Sequence, residues 1–193
     1  MVQTPGKRVF SSLLTVLLAV VGATSVAAEP AVGDSAATFE RLKQLEGTWR
    51  GEARREGGEQ KMAVPHAFAV TANGEVLKET FVPGHDHEMV SMYYLNGDQL
   101  EISHFCDSGN HPVLRLDPES SSQDELHFEF VKSVNFDPAK DYHIHAGKLA
   151  FIDADTIESS WTIFIDGKKS HVLVFRLERA AAEHAADEHP ADE

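Results

Sequence analysis

Two short motifs in this chain combine side chains that can bind a transition metal. His104 and Cys106 form a His-x-Cys pair, and His143 and His145 form a His-x-His pair. Alternate residues of a β-strand share one face and lie about 6.5–7 Å apart along it, so each pair presents two ligands to one side. Imidazole and thiolate suit zinc, copper and iron. If the two strands face each other, His104, Cys106, His143 and His145 can surround one metal ion.

Acid–base or nucleophilic chemistry is the second possibility for these residues. Cys106 could be a thiolate with His104 as its base, which requires a lowered thiol pKa and a third group that orients the imidazole. Glu79 with an interior histidine could act as a general acid and base, as in an isomerase or cyclase. The chain has no Gly-x-Ser-x-Gly, phosphate-loop or His-Glu-x-x-His motif. The sequence therefore favours binding over catalysis.

The elements that carry these residues are mostly short strands. Hairpin turns are predicted at Asn73-Gly74, Asn96-Gly97 and Asp166-Gly167. Between the turns, period-two patterns predict ten strands, near residues 47–55, 61–71, 75–82, 87–95, 98–106, 111–117, 125–132, 142–152, 156–165 and 168–178. One short helix precedes them, with Thr38 as its N-cap and Phe39, Leu42 and Leu45 on its apolar face.

Ten successive antiparallel strands need closure or a second sheet, and closure removes the exposed edges. The predicted fold is all-β, a roughly ten-stranded antiparallel barrel closed by a short N-terminal helix. Alternation places His104 and Cys106 inside with Leu100 and Ile102. His143 and His145 are placed inside with Leu149, opposite Lys148, although Ile144 shares the face of Lys148.

Several other polar and aromatic residues fall on predicted inner faces. A barrel of about eight or more strands can leave a cavity, and buried polar groups need partners. The pattern therefore predicts a pocket whose ligand or water satisfies them. The candidate ligand-binding residues are Trp49, His66, Glu79, Tyr93, His104, Cys106, His143, His145, Trp161 and His171.

The N-terminus has the three-part pattern of a secretory signal. Lys7 and Arg8 precede an apolar run that is too short to span a bilayer comfortably, and small residues follow up to Ala28. We expect a signal peptide at 1–28, a flexible leader at 29–37, the barrel domain at 38–179 and an acidic disordered tail at 180–193. The mature protein is then periplasmic or secreted, without stable membrane insertion.

Composition limits the partners of the mature chain. Loss of Lys7 and Arg8 leaves 15 basic residues against 31 acidic ones, and such a surface repels nucleic acid and anionic membrane. With one cysteine the chain cannot form an internal disulfide, so its core alone must stabilise the fold. The expected partner is a small molecule.

Two stretches carry a family resemblance. "LEGTWRGEA" resembles the Gly-x-Trp opening of lipocalins and other calycins, and the Gly-x-Trp-x-Gly-x-Gly opening of nitrobindin-type haem barrels, with Ala53 in place of the last glycine. "HEMVSMYYLNGDQLEISHFCDSGNHP" and "DPAKDYHIHAGKLAFIDADTIESSWTIFIDGKK" resemble exported bacterial calycin-like proteins of unassigned function. The resemblance implies a small, largely apolar ligand inside the barrel. For a haem barrel it implies His171 as the axial ligand.

Three functions remain open from the sequence. The first is an exported binding protein for a small hydrophobic or amphipathic ligand, with a histidine-rich polar patch. The second is a barrel that binds a transition metal or haem and could act as an enzyme through interior His, Cys and Glu residues. The third is a structural envelope interaction module with a filled core.

Overall fold

The computed structural model describes Met1 and residues 34–181. The expected signal peptide, most of the leader and residues 182–193 of the tail lie outside this part of the chain. The ten predicted strands are confirmed, and most bounds agree within two residues. They are β1 (Gly47–Arg55), β2 (Lys61–Thr71), β3 (Val76–Phe81), β4 (Met89–Asn96), β5 (Gln99–Phe105), β6 (Val113–Leu116), β7 (Glu125–Lys132), β8 (His143–Phe151), β9 (Thr156–Ile165) and β10 (Lys168–Arg179).

The strands form one closed antiparallel barrel. Each strand pairs with the next along the chain, and β1 pairs with β10 to complete the ring. At Asp166-Gly167 both turn residues have positive φ, 51° and 67°, which is the backbone that a two-residue hairpin of this hand requires. Closure leaves no free sheet edge in the barrel.

The helix α1 (Ser35–Lys43) begins earlier than the sequence predicts. Its N-cap is Asp34, whose carboxylate accepts hydrogen bonds from the backbone N–H groups of Ala36 and Ala37. Thr38 is therefore not the cap, and the last residues of the predicted leader are helical. Phe39 and Leu42 are buried in the core at the end of the barrel from which β1 starts. We call this the closed end. Among the described residues, no helix is long and apolar enough to span a membrane.

The Gly-x-Trp segment connects α1 to the barrel wall. Gly47 has a φ of 134°, which L side chains rarely adopt. The buried indole of Trp49 donates to the Leu45 carbonyl at 2.8 Å. The Arg179 guanidinium lies 4.4 Å from the Trp49 ring centroid and donates to the carbonyls of Gln44 and Glu46. This arrangement ties the end of β10 to the helix.

Two glycines allow close packing in the wall. A Cβ at Gly51 would lie 1.9 Å from the Arg176 carbonyl oxygen on β10. A Cβ at Gly147 would lie 2.7 Å from the indole of Trp161, which packs flat over that position. Both tryptophans are interior, as predicted.

The end opposite α1 is formed by the loops β1–β2, β3–β4, β5–β6, β7–β8 and β9–β10. We call it the open end. Most of the large apolar side chains that remain exposed within residues 34–181 lie at or near it: Met62, Phe105, Val131, Val134, Tyr142 and Ile165. At the closed end the exposed one is Ile152. The fold therefore has one end covered by a helix and one end with an apolar rim.

Candidate ligand-binding site

The first polar group inside the barrel joins three strands. Glu79 on β3 and Tyr93 on β4 are both buried, and the Tyr93 hydroxyl donates to Glu79 Oε2 at 2.7 Å. His66 on β2 is fully buried, with its Nε2 3.8 Å from Glu79 Oε1. Alternation thus turns Glu79 inward and leaves Lys78 on the other face, whereas the sequence, with apolar residues on both faces of this strand, allows either placement.

Burial keeps this group uncharged at neutral pH. It lowers the pKa of His66 to about 4, although the backbone at Pro65 acts in the opposite direction. It raises the pKa of Glu79 to about 8, against the effect of the Tyr93 hydrogen bond. The 3.8 Å approach of His66 to Glu79 is therefore a contact between neutral groups and exceeds hydrogen-bond distance.

A second polar group lies on β4 and β5. His104 is buried, as predicted, and its Nδ1 is 3.0 Å from the Ser91 hydroxyl, which lies directly opposite it across the two strands. Burial lowers the pKa of His104 to about 4, so this imidazole is also neutral near pH 7. Its second nitrogen, Nε2, has no protein partner among the described residues.

Several buried polar atoms of the inner wall lack a hydrogen-bond partner in the described protein. They are both ring nitrogens of His66, Nε2 of His104, Nε1 of Trp161 and Oγ of Ser159. Each such atom costs on the order of 1–3 kcal/mol relative to its hydration in the unfolded chain. Native interiors hold few of them, and a group of this size needs an explanation such as water or a ligand.

Phe81 separates the two histidines. Its ring centroid lies 4.6 Å from that of His66, 5.7 Å from that of His104 and 6.0 Å from that of Trp161. Phe175 adds an edge contact at 5.8 Å. The centre of the barrel is thus filled by an aromatic ring and is not an open hollow.

The free space lies towards the open end. A gap of about 30 Å³ is bordered by Phe81, His104, Trp161 and Cys106. It has room for about two water molecules. A larger cavity of about 400 Å³ opens to solvent beside Ala53, Met62 and Leu173. Leu173 borders both spaces, so they adjoin. The larger cavity falls within the range of about 300–1,000 Å³ that is typical of small-molecule sites.

Charged and polar groups surround this opening. Arg54, Arg55 and Lys61 line the larger cavity. The Arg55 charge acts on Tyr142 and His171, which places all three near the opening. His171 is only partly buried, and its Nδ1 is 3.1 Å from the Ser170 hydroxyl. An amphipathic ligand would meet apolar surface inside and polar groups at the rim.

Cys106 borders the inner gap but does not form a dyad with His104. Its sulfur accepts from the Ser108 hydroxyl at 3.1 Å and lies 3.9 Å from the Met89 sulfur. Burial raises the pKa of the Cys106 thiol, despite the Ser108 hydrogen bond. A protonated thiol is a poor nucleophile, so this environment suits packing better than catalysis.

The inward placement of His143 and His145 is wrong. The pairing of β8 with β9 shifts between Ile144 and Ala146, which leaves His145 as an extra residue in a β-bulge. The bulge resets the alternation. Ile144 then borders the inner gap, and the two histidines contact Phe164 on the outer wall.

The outer histidines form a cluster of their own. His145 stacks between Phe164, at 3.8 Å, and Phe130, at 4.9 Å between ring centroids. His143 is fully buried; its Nδ1 is 2.9 Å from the Asp141 carbonyl oxygen and its Nε2 is 3.0 Å from Nδ1 of His145. This cluster is separate from the inner polar groups.

The proposed metal ligands therefore do not assemble. Within the described residues, no group of three or more His, Cys, Asp or Glu side chains is placed to hold a metal ion. Haem does not fit the interior either, since the inner gap of about 30 Å³ is far smaller than the macrocycle and His171 lies at the rim.

Sequence reasoning missed Ser91, Phe81 and Phe175. Ser91 follows from the β4–β5 register, because the Asn96–Gln99 turn places Ser91 opposite His104. Phe81 and Phe175 were indistinguishable from ordinary core residues. Phe105, next to His104 in the chain, is exposed and contacts His111 on the outer side.

Comparison with known proteins adds little. No family model and no curated protein matches the chain. Among solved structures, it is similar to a protein of unknown function from the DUF3598 family of Nostoc punctiforme PCC 73102, with a TM-score of 0.47 and 14% identity. The match covers 72% of this chain and 49% of that protein, so the chain spans about half of its length. At this level the similarity supports no functional argument.

Proposed function

We propose that this chain is an exported calycin-like barrel that binds a small hydrophobic or amphipathic molecule through its open end. The observation that carries the proposal is the cavity of about 400 Å³ at the open end, where Ala53, Met62 and Leu173 provide apolar surface beside charged side chains. It adjoins an interior whose wall holds unpartnered polar atoms. Burial of apolar ligand surface provides the affinity, and the inner polar groups provide orientation.

The two ends of the barrel differ in a way that supports this location. The closed end also has a groove, of about 290 Å³, in which Arg41, Asp124 and Arg179 lie beside Leu45, Phe151 and Ile152; its accessible surface is mostly polar, whereas that of the larger cavity is mostly apolar. These charges are already paired: Arg41 with Asp124 at 3.5 Å, and Arg179 with Asp155 at 3.2 Å. Lys61 in the larger cavity is paired too, with Glu52 at 2.6 Å, so the difference lies in the apolar surface, which makes the open end the better site for an apolar molecule.

The binding test uses the neutral fluorophore N-phenyl-1-naphthylamine. Met62 and Ile152 are exposed apolar side chains at opposite ends, with 63% and 50% of their surface accessible. We expect Met62→Gln and Leu173→Gln to weaken binding of the fluorophore at least fivefold. Ile152→Gln, the matched control, should leave affinity unchanged within twofold. Equal affinity in all three variants, or no saturable binding at all, would exclude the open end as a binding site.

Export is tested separately by intact-mass measurement of protein from the periplasm or culture medium. The proposal expects a mature chain that begins at Ala28 or Glu29. A chain that retains residues 1–28 in the cytoplasm would refute export while leaving the binding site untouched.

The filled-core alternative keeps one supporting observation. The inner gap of about 30 Å³ is small, as expected for an envelope interaction module. That function predicts no saturable binding of the fluorophore to the wild type, so the same titration separates the two.

A further inference from the structure

Phe81 stands where the unpartnered polar atoms converge. It is the last residue of β3, and its ring is nearly inaccessible to solvent. Cross-strand pairing places it between His66 on β2 and Met89 on β4. Through edge-on ring contacts, this apolar aromatic ring covers His66, His104 and Trp161, three side chains that each have a polar atom without a hydrogen-bond partner among the described residues.

The backbone directly after Phe81 is strained. Val82 has a φ of 44°, and a β-branched residue in this left-handed region is a genuine outlier. Pro83 follows, and Gly84 has a φ of 78°. Strain of this kind is concentrated at ligand clamps and switch regions, where surrounding structure holds it in place. The β3–β4 loop is thus a candidate hinge for the Phe81 ring.

We propose that the Phe81 ring occupies an inner site, and that it swings aside to admit a small uncharged ring compound bearing a hydroxyl or carbonyl group. His66, His104 and Trp161 would donate to or accept from that group. This inference rests on the proposed function, because the ligand enters through the open end, and it adds the chemical class that the inner wall selects.

The side chains of the inner wall explain why the ligand should be uncharged. A neutral imidazole offers one donor and one acceptor, so His66 can pair with either half of a hydroxyl group. Trp161 Nε1 donates only, which suits a carbonyl or hydroxyl oxygen. Within residues 34–181, no lysine or arginine lines the inner gap. A carboxylate would lose its hydration there without a counter-charge.

Phenol, toluene and benzoate test this with rings of similar size. In Phe81→Ala the competing ring is gone, so phenol should bind at least tenfold more tightly than it binds the wild type. Adding His66→Leu should weaken phenol binding at least fivefold and leave toluene binding unchanged within twofold. Benzoate should bind at least tenfold more weakly than phenol at pH 7. Calorimetry or ligand-observed NMR provides the constants.

The matched control is Phe128→Ala. Phe128 is another buried phenylalanine of the inner wall, and its aromatic neighbour Tyr93 already has Glu79 as a hydrogen-bond partner. Its cavity should bind toluene at least as tightly as phenol. If Phe81→Ala shows the same preference for toluene, or if His66→Leu does not weaken phenol binding, the inner site is wrong.

Two safeguards keep the test decisive. If Phe81→Ala does not fold, Phe81→Leu provides a smaller opening. Phenol affinity should depend on His66 in that variant as well. If it does not, the inner site is refuted. If N-phenyl-1-naphthylamine binding depends on Met62 but phenol binding does not depend on His66, the result supports the proposed function and refutes the inner site. Loss of Met62 dependence as well would overturn both.

Discussion

The inner wall of the barrel holds His66 and His104, and the outer wall holds His143 and His145. In the sequence all four look alike, as histidines among alternating apolar residues. Among the residues that the structure describes, both ring nitrogens of the buried outer His143 have hydrogen-bond partners, whereas neither of His66 has one and one of His104 does. The difference teaches that burial alone does not mark a binding residue. Unsatisfied polar capacity next to accessible space is the better indicator.

Carboxyl groups show the same contrast between walls. Glu79 lies inside, where burial raises its pKa to about 8. Glu101 lies on the outer face of β5 and is nearly as buried as Glu79. Arg115 donates to its Oε1 through two nitrogens, at 2.7 Å and 3.1 Å. Burial acts to raise the pKa of Glu101, but hydrogen bonds from Arg115 and other groups lower it overall.

The largest expected effect uses this pair of carboxyls. Between pH 4.5 and about 8, the folded state retains the Glu79 proton and the unfolded state has lost it. The wild type therefore loses stability as pH rises through that window. Through Glu79, the free energy of unfolding of the wild type should fall by on the order of 3 kcal/mol between pH 5 and pH 8, and Glu79→Gln should abolish this fall. Urea unfolding at both pH values measures it.

Glu101→Gln is the control with the opposite sign. Because the folded-state pKa of Glu101 is lowered, its contribution is present above the unfolded-state pKa and disappears as pH falls through the folded-state value. Glu101→Gln should therefore destabilise the protein more at pH 8 than at low pH. If the effects of the two substitutions on the free energy of unfolding change in the same direction with pH, Glu79 and Glu101 do not differ in the way described here.

The next effect concerns the outer histidines. His143→Ala should lower the free energy of unfolding by about 1–3 kcal/mol, because it removes a buried side chain and leaves Nδ1 of His145 without this partner. Affinity for N-phenyl-1-naphthylamine should stay within twofold of the wild type. A large loss of affinity with intact stability would assign the outer cluster to the binding site.

The smallest expected effect has the opposite sign. His66→Leu replaces a side chain whose ring nitrogens accept or donate no hydrogen bond within the described part of the chain by an apolar one, so it should raise the free energy of unfolding by about 1 kcal/mol. Such a gain in stability with weaker phenol binding is the expected mark of a residue kept for function. Destabilisation of about 2 kcal/mol or more would show that His66 has a structural role.

Much of the fold could be predicted from the sequence. Period-two patterns and turn residues such as Asp166-Gly167 located all ten strands, because strand alternation and hairpin backbone are local properties. The helix start was missed because Thr38 and Asp34 are both good caps, and only the backbone shows that Asp34 is used. Glycine and proline mark turns, but neither residue type marks the bulge at His145.

The candidate site could be predicted only in part. Inner faces were correct for His66, His104 and both tryptophans, since one alternating pattern determines each, whereas the pattern around Glu79 and Lys78 is consistent with either face. A single extra residue in β8 places His143 and His145 on the face opposite to the predicted one. The volume left between side chains also escapes the pattern. Whether the centre is hollow or filled by Phe81 depends on packing across several distant strands.

The ¹⁵N chemical shifts of the imidazole rings in the wild-type protein, followed during titration with phenol at pH 7, test the central claim most directly. If the unpartnered atoms of the inner wall form the recognition surface, the ring nitrogens of His66 and His104 shift saturably, with one dissociation constant. Those of His143 and His145 stay in place. Saturable shifts of the outer pair alone, or no shift of any of the four rings at saturating phenol, would contradict the account.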